Sequence, residues 1–167
     1  MSLRITTPRL RGLPLAETDF ADLCALHRDE QVVAAFHAAV NSEEETREFL
    51  DRKLAHWREH GFGIWMFRDA DGAFVGRCGI HRWTLEGQTD VELGYVVRSD
   101  LWRQGYATEM GTAIIDYAAT ALGVRELVGF TLDDNLGSQR VLEKLGFTFE
   151  RRFEDEGEAL VLYRRIA

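Results

Sequence analysis

The sequence predicts a mixed α/β protein, with a twisted sheet of about seven strands covered by helices on both faces. Three observations support this prediction. The 167 residues suffice for one domain, and 46% of them are hydrophobic while 29% are charged, as in an ordinary globular chain. Strand and helix patterns are interleaved without strict alternation, which is typical of a mixed sheet. No repeat, low-complexity tract or linker divides the chain, so residues 1–167 are expected to form a single domain.

The first half of the chain is predicted to hold one strand and three helical segments. Pro8 lies near the start of the strand, where an edge position tolerates proline. The longest helix is well marked, because Ser42 and Glu45 form a capping box and Gly61 is placed to end it. The predicted ranges are a strand at Ile5–Leu15 and helices at Thr18–Arg28, Val32–Phe36 and Ser42–Gly61.

The second half is predicted to be richer in strands. The segment Asp69–Gly72 has the composition of a hairpin turn, Glu154–Gly157 forms an acidic turn, and Gly123 and Gly146 each end a helix. The predicted ranges are strands at Ile64–Arg68, Ala73–Arg82, Thr89–Val97 and Glu126–Leu132, helices at Ala107–Leu122 and Gly137–Leu145, and two strands within Phe147–Ile166.

Charge and cysteine content narrow the classes of function. The net charge of −8 argues against nucleic-acid binding, which depends on clustered Lys and Arg, and suits an amine-bearing substrate. Cys24 and Cys78 are far apart in sequence and are predicted to be buried, reduced thiols. Residues 1–11 lack an apolar leader pattern, and no run of 18 apolar residues occurs. A cytoplasmic protein without membrane contact is therefore expected.

The segment Leu101–Glu109 lies between a predicted strand and a predicted helix. Gly105 and Ala107 are small enough to let the backbone approach a ligand, and unpaired N–H groups at a helix start bind anions. Arg103 adds a positive charge. The pattern also fits a purely structural turn, and it is neither the dinucleotide fingerprint nor a P-loop.

A second segment, Asn135–Phe147, begins another predicted helix. Ser138 lies in the first turn of this helix, and Asn135 precedes it. An asparagine at that position either caps the helix or contacts a ligand, and the sequence leaves both roles open.

Taken together, these segments resemble the acetyl-CoA-binding motifs of the GNAT superfamily of N-acetyltransferases. Gly105 and Ala107 match the end of the family's pyrophosphate loop, while Asn135, Ser138 and Gly146–Phe147 match its later signature. The closer resemblance is to the branch of ribosomal-protein N-terminal acetyltransferases, which includes alanine acetyltransferases. It is carried by the segments Thr7–Arg11, Glu92–Tyr95, Gly105–Glu109 and Ser138–Val141.

The resemblance implies a mostly antiparallel sheet, acetyl-CoA as cosubstrate, no metal, and transfer of the acetyl group to a primary amine by direct attack. The cofactor-binding residues that it implies are Tyr95, Val96, Val97, Arg103, Gln104, Gly105, Tyr106, Ala107, Thr108, Asn135 and Ser138. The chain departs from the family pattern at two positions. Trp102 replaces the usual Gln or Arg, so Arg103, or otherwise Gln104, is expected to contact phosphate. Leu142 replaces a Tyr that protonates the leaving thiolate in many relatives, and the resemblance implies Ser138 as its substitute.

Glu92 is the predicted general base. The apolar residues of its strand alternate, which places Glu92 and Gly94 on the opposite face from Val91, Leu93, Tyr95 and Val97. A carboxylate beside a glycine in mid-strand suits a cleft, although strands also expose alternate residues to water. His81 and Asp90 are reserve candidates, and the backbone beside Gly94 and Tyr95 is predicted to polarise the thioester carbonyl.

Two other classes of function are considered. His56–His60 reads H-x-x-E-H, a zinc peptidase pattern, but it falls in the last turn of a helix whose buried side carries Trp57, so coincidence is favoured. The absent tyrosine also fits an acyl-CoA-binding module without turnover.

The acetyl acceptor is not fixed by the sequence. A protein N-terminal amine, a small amine such as a polyamine or amino acid, and an antibiotic amine all remain open. The segments Phe36–Glu45 and Glu154–Glu158 are predicted to help form the acceptor pocket. Oligomeric state, including a homodimer, is left open as well.

Overall fold

In the computed structural model, which describes residues 2–167, helices cover both faces of an eight-stranded sheet. The strands are β1 (Ile5–Thr6), β2 (Arg11–Pro14), β3 (Ile64–Arg68), β4 (Phe74–Leu85), β5 (Gln88–Val97), β6 (Glu126–Leu132), β7 (Thr148–Asp155) and β8 (Glu158–Ile166). The helices are α1 (Phe20–His27), α2 (Glu30–Ala35), α3 (Glu43–His60), α4 (Tyr106–Ala121) and α5 (Leu136–Lys144).

The spatial order of the strands is β1-β2-β3-β4-β5-β6-β8-β7. Every neighbouring pair is antiparallel except β5 and β6, which are parallel. The predicted mixed, mostly antiparallel α/β fold is therefore confirmed. The strand count is eight rather than about seven.

The additional strand arises near the N-terminus. The single strand predicted over Ile5–Leu15 is wrong, because the backbone N–H of Thr7 donates to the Leu10 carbonyl at 2.9 Å and closes a turn. The residues before and after this turn pair with each other as β1 and β2, with Ile5 opposite Gly12. Pro8 lies in the turn, where its fixed φ and missing N–H do no harm.

Local sequence signals fix several element ends. The Ser42 hydroxyl accepts from the Glu45 N–H at 3.1 Å, and the Ser42 N–H donates to the Glu45 carboxylate at 2.7 Å, so the predicted capping box begins α3. Gly61 ends this helix with a φ of 72°. The strand predicted to stop at Arg82 instead continues to Leu85, because Glu86 and Gly87 form a turn with φ of 51° and 82° and return the chain as β5.

Apolar cores lie on both faces of the sheet. On one face α4 and α5 pack over residues that include Cys78, Ile80 and Leu93. On the other face α1, α2 and α3 cover residues that include Ile64 and Val96. Both Cys24 and Cys78 are buried free thiols, as predicted. None of the helices within residues 2–167 has the length and apolar character needed to cross a membrane.

Candidate active site

The sheet opens between β5 and β6. The register joins these strands at Glu92 and Val128, while β4 stays paired with β5 out to Val97. Beyond Glu92, therefore, the edge of β5 that faces β6 has no strand partner in the described part of the chain. A cavity of about 230 Å³ lies at this opening. Its lining includes Glu92, Gly94, Tyr95 and Val96 of β5, Phe130 and Thr131 of β6, Ser138 and Leu142 of α5, and Phe49 and Lys53 of α3.

Glu92 lies inside this cavity and is 6% exposed. It shares a face with Gly94, opposite Leu93, Tyr95 and Val97, as predicted, but the alternative that it faces water is wrong. The Nε2 atom of His81 lies 2.6 Å from Oε2 of Glu92. This close contact lacks hydrogen-bond alignment, so Oε2 has no hydrogen-bond donor among the described residues.

A second buried polar atom of this cavity also lacks a partner. Within residues 2–167, the buried side-chain nitrogen and oxygen atoms without a hydrogen bond are Nε of Arg77 and Oε2 of Glu92. Both residues line the 230 Å³ cavity. Buried polar groups are nearly always paired, and exceptions concentrate where a ligand completes the pairing. The cavity is therefore lined by two charged residues that each keep one buried polar atom without a hydrogen-bond partner.

The ring of His56 lies next to that of His81, and His56 has a structural role. Its Nδ1 lies 2.9 Å from the Phe62 carbonyl oxygen, and its Nε2 accepts from the Arg82 N–H at 3.2 Å. Burial lowers the pKa of His56, which keeps the ring neutral as this arrangement requires. Because both ring nitrogens are engaged by backbone groups, the H-x-x-E-H pattern has no free first ligand to offer a metal.

Asp90, the other reserve candidate, lies outside the site. Its Oδ1 is 3.0 Å from Nη1 of Arg164, which also pairs with Glu126 and Glu150. Hydrogen bonds that Arg164 donates to Glu150 and Asp90 raise the pKa of Arg164, so its guanidinium stays ionised. Asp90 therefore ties β5 to the strands beyond it.

The start of α4 is open to an anion. Gly105 precedes the helix with a φ of 81°, Arg103 also has a positive φ of 63°, and no side chain of the described residues caps this end. The first backbone bond of the helix runs from the Glu109 N–H to the Gly105 carbonyl at 3.0 Å. The N–H groups of the first turn, those of Tyr106, Ala107 and Thr108, thus have no helical acceptor. A helix start of this kind attracts negative charge.

Arg9 is a neighbour of this loop that the sequence did not single out. Its Nη1 donates to the Gln104 carbonyl at 2.9 Å, its Nε lies 2.6 Å from the Glu109 carboxylate, and its guanidinium stacks 4.1 Å from the Tyr106 ring centroid. Burial alone would raise the pKa of Glu109, but hydrogen bonds from Thr7 and Arg9 lower it. Arg9 thus anchors the loop and adds a cation beside it. In the sequence, Arg9 was included only in the Thr7–Arg11 segment, which contributed to the resemblance to ribosomal-protein N-terminal acetyltransferases.

The start of α5 closes the other side of the opening. Oδ1 of Asn135 accepts from the Ser138 N–H at 3.1 Å, so Asn135 caps the helix, and its Nδ2 donates to the Ala35 carbonyl at 3.3 Å. The Tyr95 hydroxyl reaches across from β5, donates to the Ser138 carbonyl at 2.9 Å and lies 3.1 Å from Oγ of Ser138. Burial raises the pKa of Tyr95, which keeps its phenol protonated.

The two segments predicted to form the acceptor pocket come together through His37. Its Nδ1 lies 2.9 Å from the Glu158 carboxylate, and its Nε2 lies 2.9 Å from the Asp134 carboxylate. We call this three-residue contact the His37 clasp. The neighbouring Phe36 lines the 230 Å³ cavity and a second cavity of about 210 Å³ beside it. The clasp therefore holds the chain after α2 over the opening in the sheet.

A split sheet, an open helix start at its mouth and a buried carboxylate at its base form the candidate site. The comparisons with known proteins identify its class. The model of the acetyltransferase (GNAT) domain matches residues 9–148, and the chain belongs to this family.

Similar proteins are found both in sequence and in structure. The Bacillus subtilis protein YkkB is 26% identical over 163 residues, which cover 97% of this chain and 95% of YkkB. A GNAT-family acetyltransferase structure from Bordetella pertussis is 22% identical with a TM-score of 0.87, over 98% of this chain and 99% of that one. The structure of RimL, a ribosomal L7/L12 α-N-protein acetyltransferase in complex with coenzyme A, is 19% identical with a TM-score of 0.80, over 98% and 97% of the two chains. These structural similarities establish the fold.

Proposed function

We propose that this acetyltransferase moves the acetyl group of acetyl-CoA to a primary amine, with Glu92 as general base and Ser138 as proton donor. One observation carries the proposal. The cavity at the split in the sheet holds both residues, and Oε2 of Glu92 is buried there without a hydrogen-bond donor. A buried carboxylate that is not fully hydrogen-bonded is a competent acceptor for the proton of an incoming amine.

The open start of α4 fits the phosphate groups of the donor. The free N–H groups of Tyr106, Ala107 and Thr108 supply hydrogen bonds, and Arg103 and Gln104 stand in the preceding loop. Gly105 leaves space, since a Cβ atom placed on it would meet only Nη2 of Arg9 at 3.5 Å. The unpaired edge of β5 at Tyr95–Val97 offers backbone groups to the remainder of the acetyl-CoA molecule. Asn135 and Ser138 lie on the other side of the opening. When bound, acetyl-CoA supplies an acetyl thioester.

Glu92 makes the amine reactive. A primary amine is mostly protonated at neutral pH, and only the free base attacks a thioester. The buried carboxylate takes this proton, and the His81 ring lies beside it, with Nε2 2.6 Å from Oε2. The backbone beside Gly94 and Tyr95 lies at the unpaired edge of β5, where N–H groups can stabilise charge on the carbonyl oxygen.

Ser138 supplies a proton to the departing thiolate and regains one from water at the opening. Its hydroxyl lines the cavity, and Leu142, one turn later on α5, has no proton to give. The Tyr95 phenol donates its own proton to the Ser138 carbonyl, so Ser138 is the donor in the 3.1 Å contact between the two hydroxyls. Tyr95 thus positions Ser138.

The test is release of free thiol from acetyl-CoA in the presence of candidate amines, with acetylated product identified by mass spectrometry. The panel contains peptides, polyamines, amino acids and aminoglycosides. We expect thiol release that depends on an amine, and a turnover about tenfold lower for Ser138→Ala with acetyl-CoA affinity retained. Binding of coenzyme A without thiol release on any amine would instead favour the module without turnover.

A further inference from the structure

We propose that the acetyl acceptor is a free amino acid with an apolar side chain, whose carboxylate binds Arg77 while its amine faces Glu92. This inference deepens the proposed function and rests on it. It names the class of acceptor that the same site takes.

The register places Arg77 and Glu92 on one face of the β4–β5 hairpin. Arg77 lies opposite Val96, and His81 lies opposite Glu92, so the two charged residues belong to the same side of the sheet four positions apart. Their Cα atoms are therefore separated by about 13 Å along the strands. Both side chains line the 230 Å³ cavity. A small molecule with a positive and a negative end fits between them.

The Arg77 guanidinium has no anionic partner of its own. Its Nε is buried without a hydrogen bond, and its charged group rests 4.9 Å from the Phe49 ring centroid. Burial lowers the pKa of Arg77 to about 10, so the side chain remains positive at neutral pH. A buried cation without a partner is costly to the fold. A carboxylate from the acceptor supplies the missing partner and can bind the guanidinium through two hydrogen bonds.

The charge of the cavity lining favours an amino carboxylate over a polyamine. The lining contains two cationic side chains, Lys53 and Arg77, and one anionic side chain, Glu92. A free amino acid adds no net charge to this lining, because it brings a carboxylate to the two cations and an amine to Glu92. A polyamine or an aminoglycoside would bring further positive charge beside Arg77. The lining thus has the opposite sign to the chain as a whole, whose net charge is −8.

The second cavity, of about 210 Å³, accommodates an apolar side chain. It borders the first cavity at Arg77, and its wall is mostly apolar, with Leu26, Val32, Val33, Phe36, Phe49 and Val96 among the lining residues. Its polar lining residues include His27, whose pKa is lowered to about 4 by burial and by Arg77, so the ring is neutral at physiological pH. A leucine or phenylalanine side chain suits this apolar wall, whereas a polar side chain would lose its hydrogen bonds to water.

A matched pair of substrates tests the inference. L-leucine and L-leucinamide share the amine and the side chain, but only L-leucine carries the carboxylate. We expect kcat/KM for L-leucine to exceed that for L-leucinamide, and for a peptide that begins with leucine, by about 30-fold, the range of a charge-assisted hydrogen bond. Arg77→Met should abolish the preference by lowering kcat/KM for L-leucine alone. Arg82→Met, an exposed arginine on the same strand, should preserve it.

Binding separates failure of this inference from failure of the proposed function. Calorimetry on the complex with coenzyme A measures L-leucine affinity without turnover, and thermal unfolding checks that Arg77→Met is folded. If L-leucine binds in an Arg77-dependent way but no amine is acetylated, the carboxylate site stands and the proposed reaction is overturned. If L-leucinamide or the peptide is acetylated as well as L-leucine, or if Arg77→Met retains the preference, the inference is overturned and the reaction stands.

Discussion

The two faces of the β4–β5 hairpin differ sharply, although they alternate along the same strands. On the face toward α4, Cys78, Ile80 and Leu93 are at most 2% exposed and pack into an apolar core. On the face toward α3, Arg77 and Glu92 are charged, and each has a buried polar atom without a hydrogen-bond partner. The first face stabilises the fold through close packing. The second face keeps unsatisfied groups, and this is why we propose that it meets the substrates.

The largest expected difference between the faces is in stability. Leu93→Ala removes a fully buried side chain, so we expect the free energy of unfolding to fall by about 2–5 kcal/mol. Its neighbour on the other face, changed as Glu92→Gln, keeps its volume and loses no hydrogen bond at Oε2, so it should stay within about 1 kcal/mol of the wild type. Urea unfolding of both variants measures the difference. Equal losses would show that the charged face is as important for folding as the apolar one.

A similar contrast is expected between the two ends of α4. Gly105 before the helix and Gly123 after it both have a positive φ, 81° and 68°, so replacement by alanine should cost about 1 kcal/mol of stability at either position. Only Gly105 lies in the loop that we propose to bind the phosphate groups of the donor. We therefore expect Gly105→Ala to weaken coenzyme A binding about tenfold in calorimetry, with Gly123→Ala unchanged. Identical affinities would remove this loop from the donor site.

The smallest expected effect concerns pH and the His37 clasp that covers the charged face. Hydrogen bonding to Glu158 raises the pKa of His37 above 6.5, and Asp134 acts in the same direction. The stabilisation from the clasp is therefore complete below pH 6.5 and is lost as the pH rises through the raised value. We expect amide hydrogen exchange near Phe36 to speed up over that range beyond the intrinsic effect of pH. His37→Gln should lack this extra change. If the variant shows the same pH profile of exchange as the wild type, the clasp is not responsible for the effect.

The sequence was most informative where local chemistry decides the structure. The capping box of Ser42 and Glu45, the stop at Gly61 and the strand at Glu126–Leu132 were predicted and are found. The alternation around Glu92 also gave the correct face of the strand. These features depend on neighbours in the chain, and so they can be recognised without a fold.

Features that depend on strand register were not predictable. A charged residue such as Arg77 is unusual in an apolar strand and can be noticed in the sequence. Its position relative to Glu92, however, follows only from the β4–β5 pairing. The burial of Glu92 depends on helices distant in sequence. Arg9 reaches Gln104 across 95 positions of the chain, so no local pattern reveals the contact. The contact of Arg103 with phosphate remains a prediction.

The central claim is that the charged face of the β4–β5 hairpin performs acetyl transfer through Glu92. The most direct measurement compares Glu92→Gln with Glu48→Gln, an exposed glutamate of α3, in steady-state transfer and in coenzyme A binding. We expect Glu92→Gln to lose about 100-fold in turnover at pH 7 while its coenzyme A affinity stays within about twofold, and we expect Glu48→Gln to behave as the wild type. Turnover of Glu92→Gln within about threefold of the wild type would contradict the account.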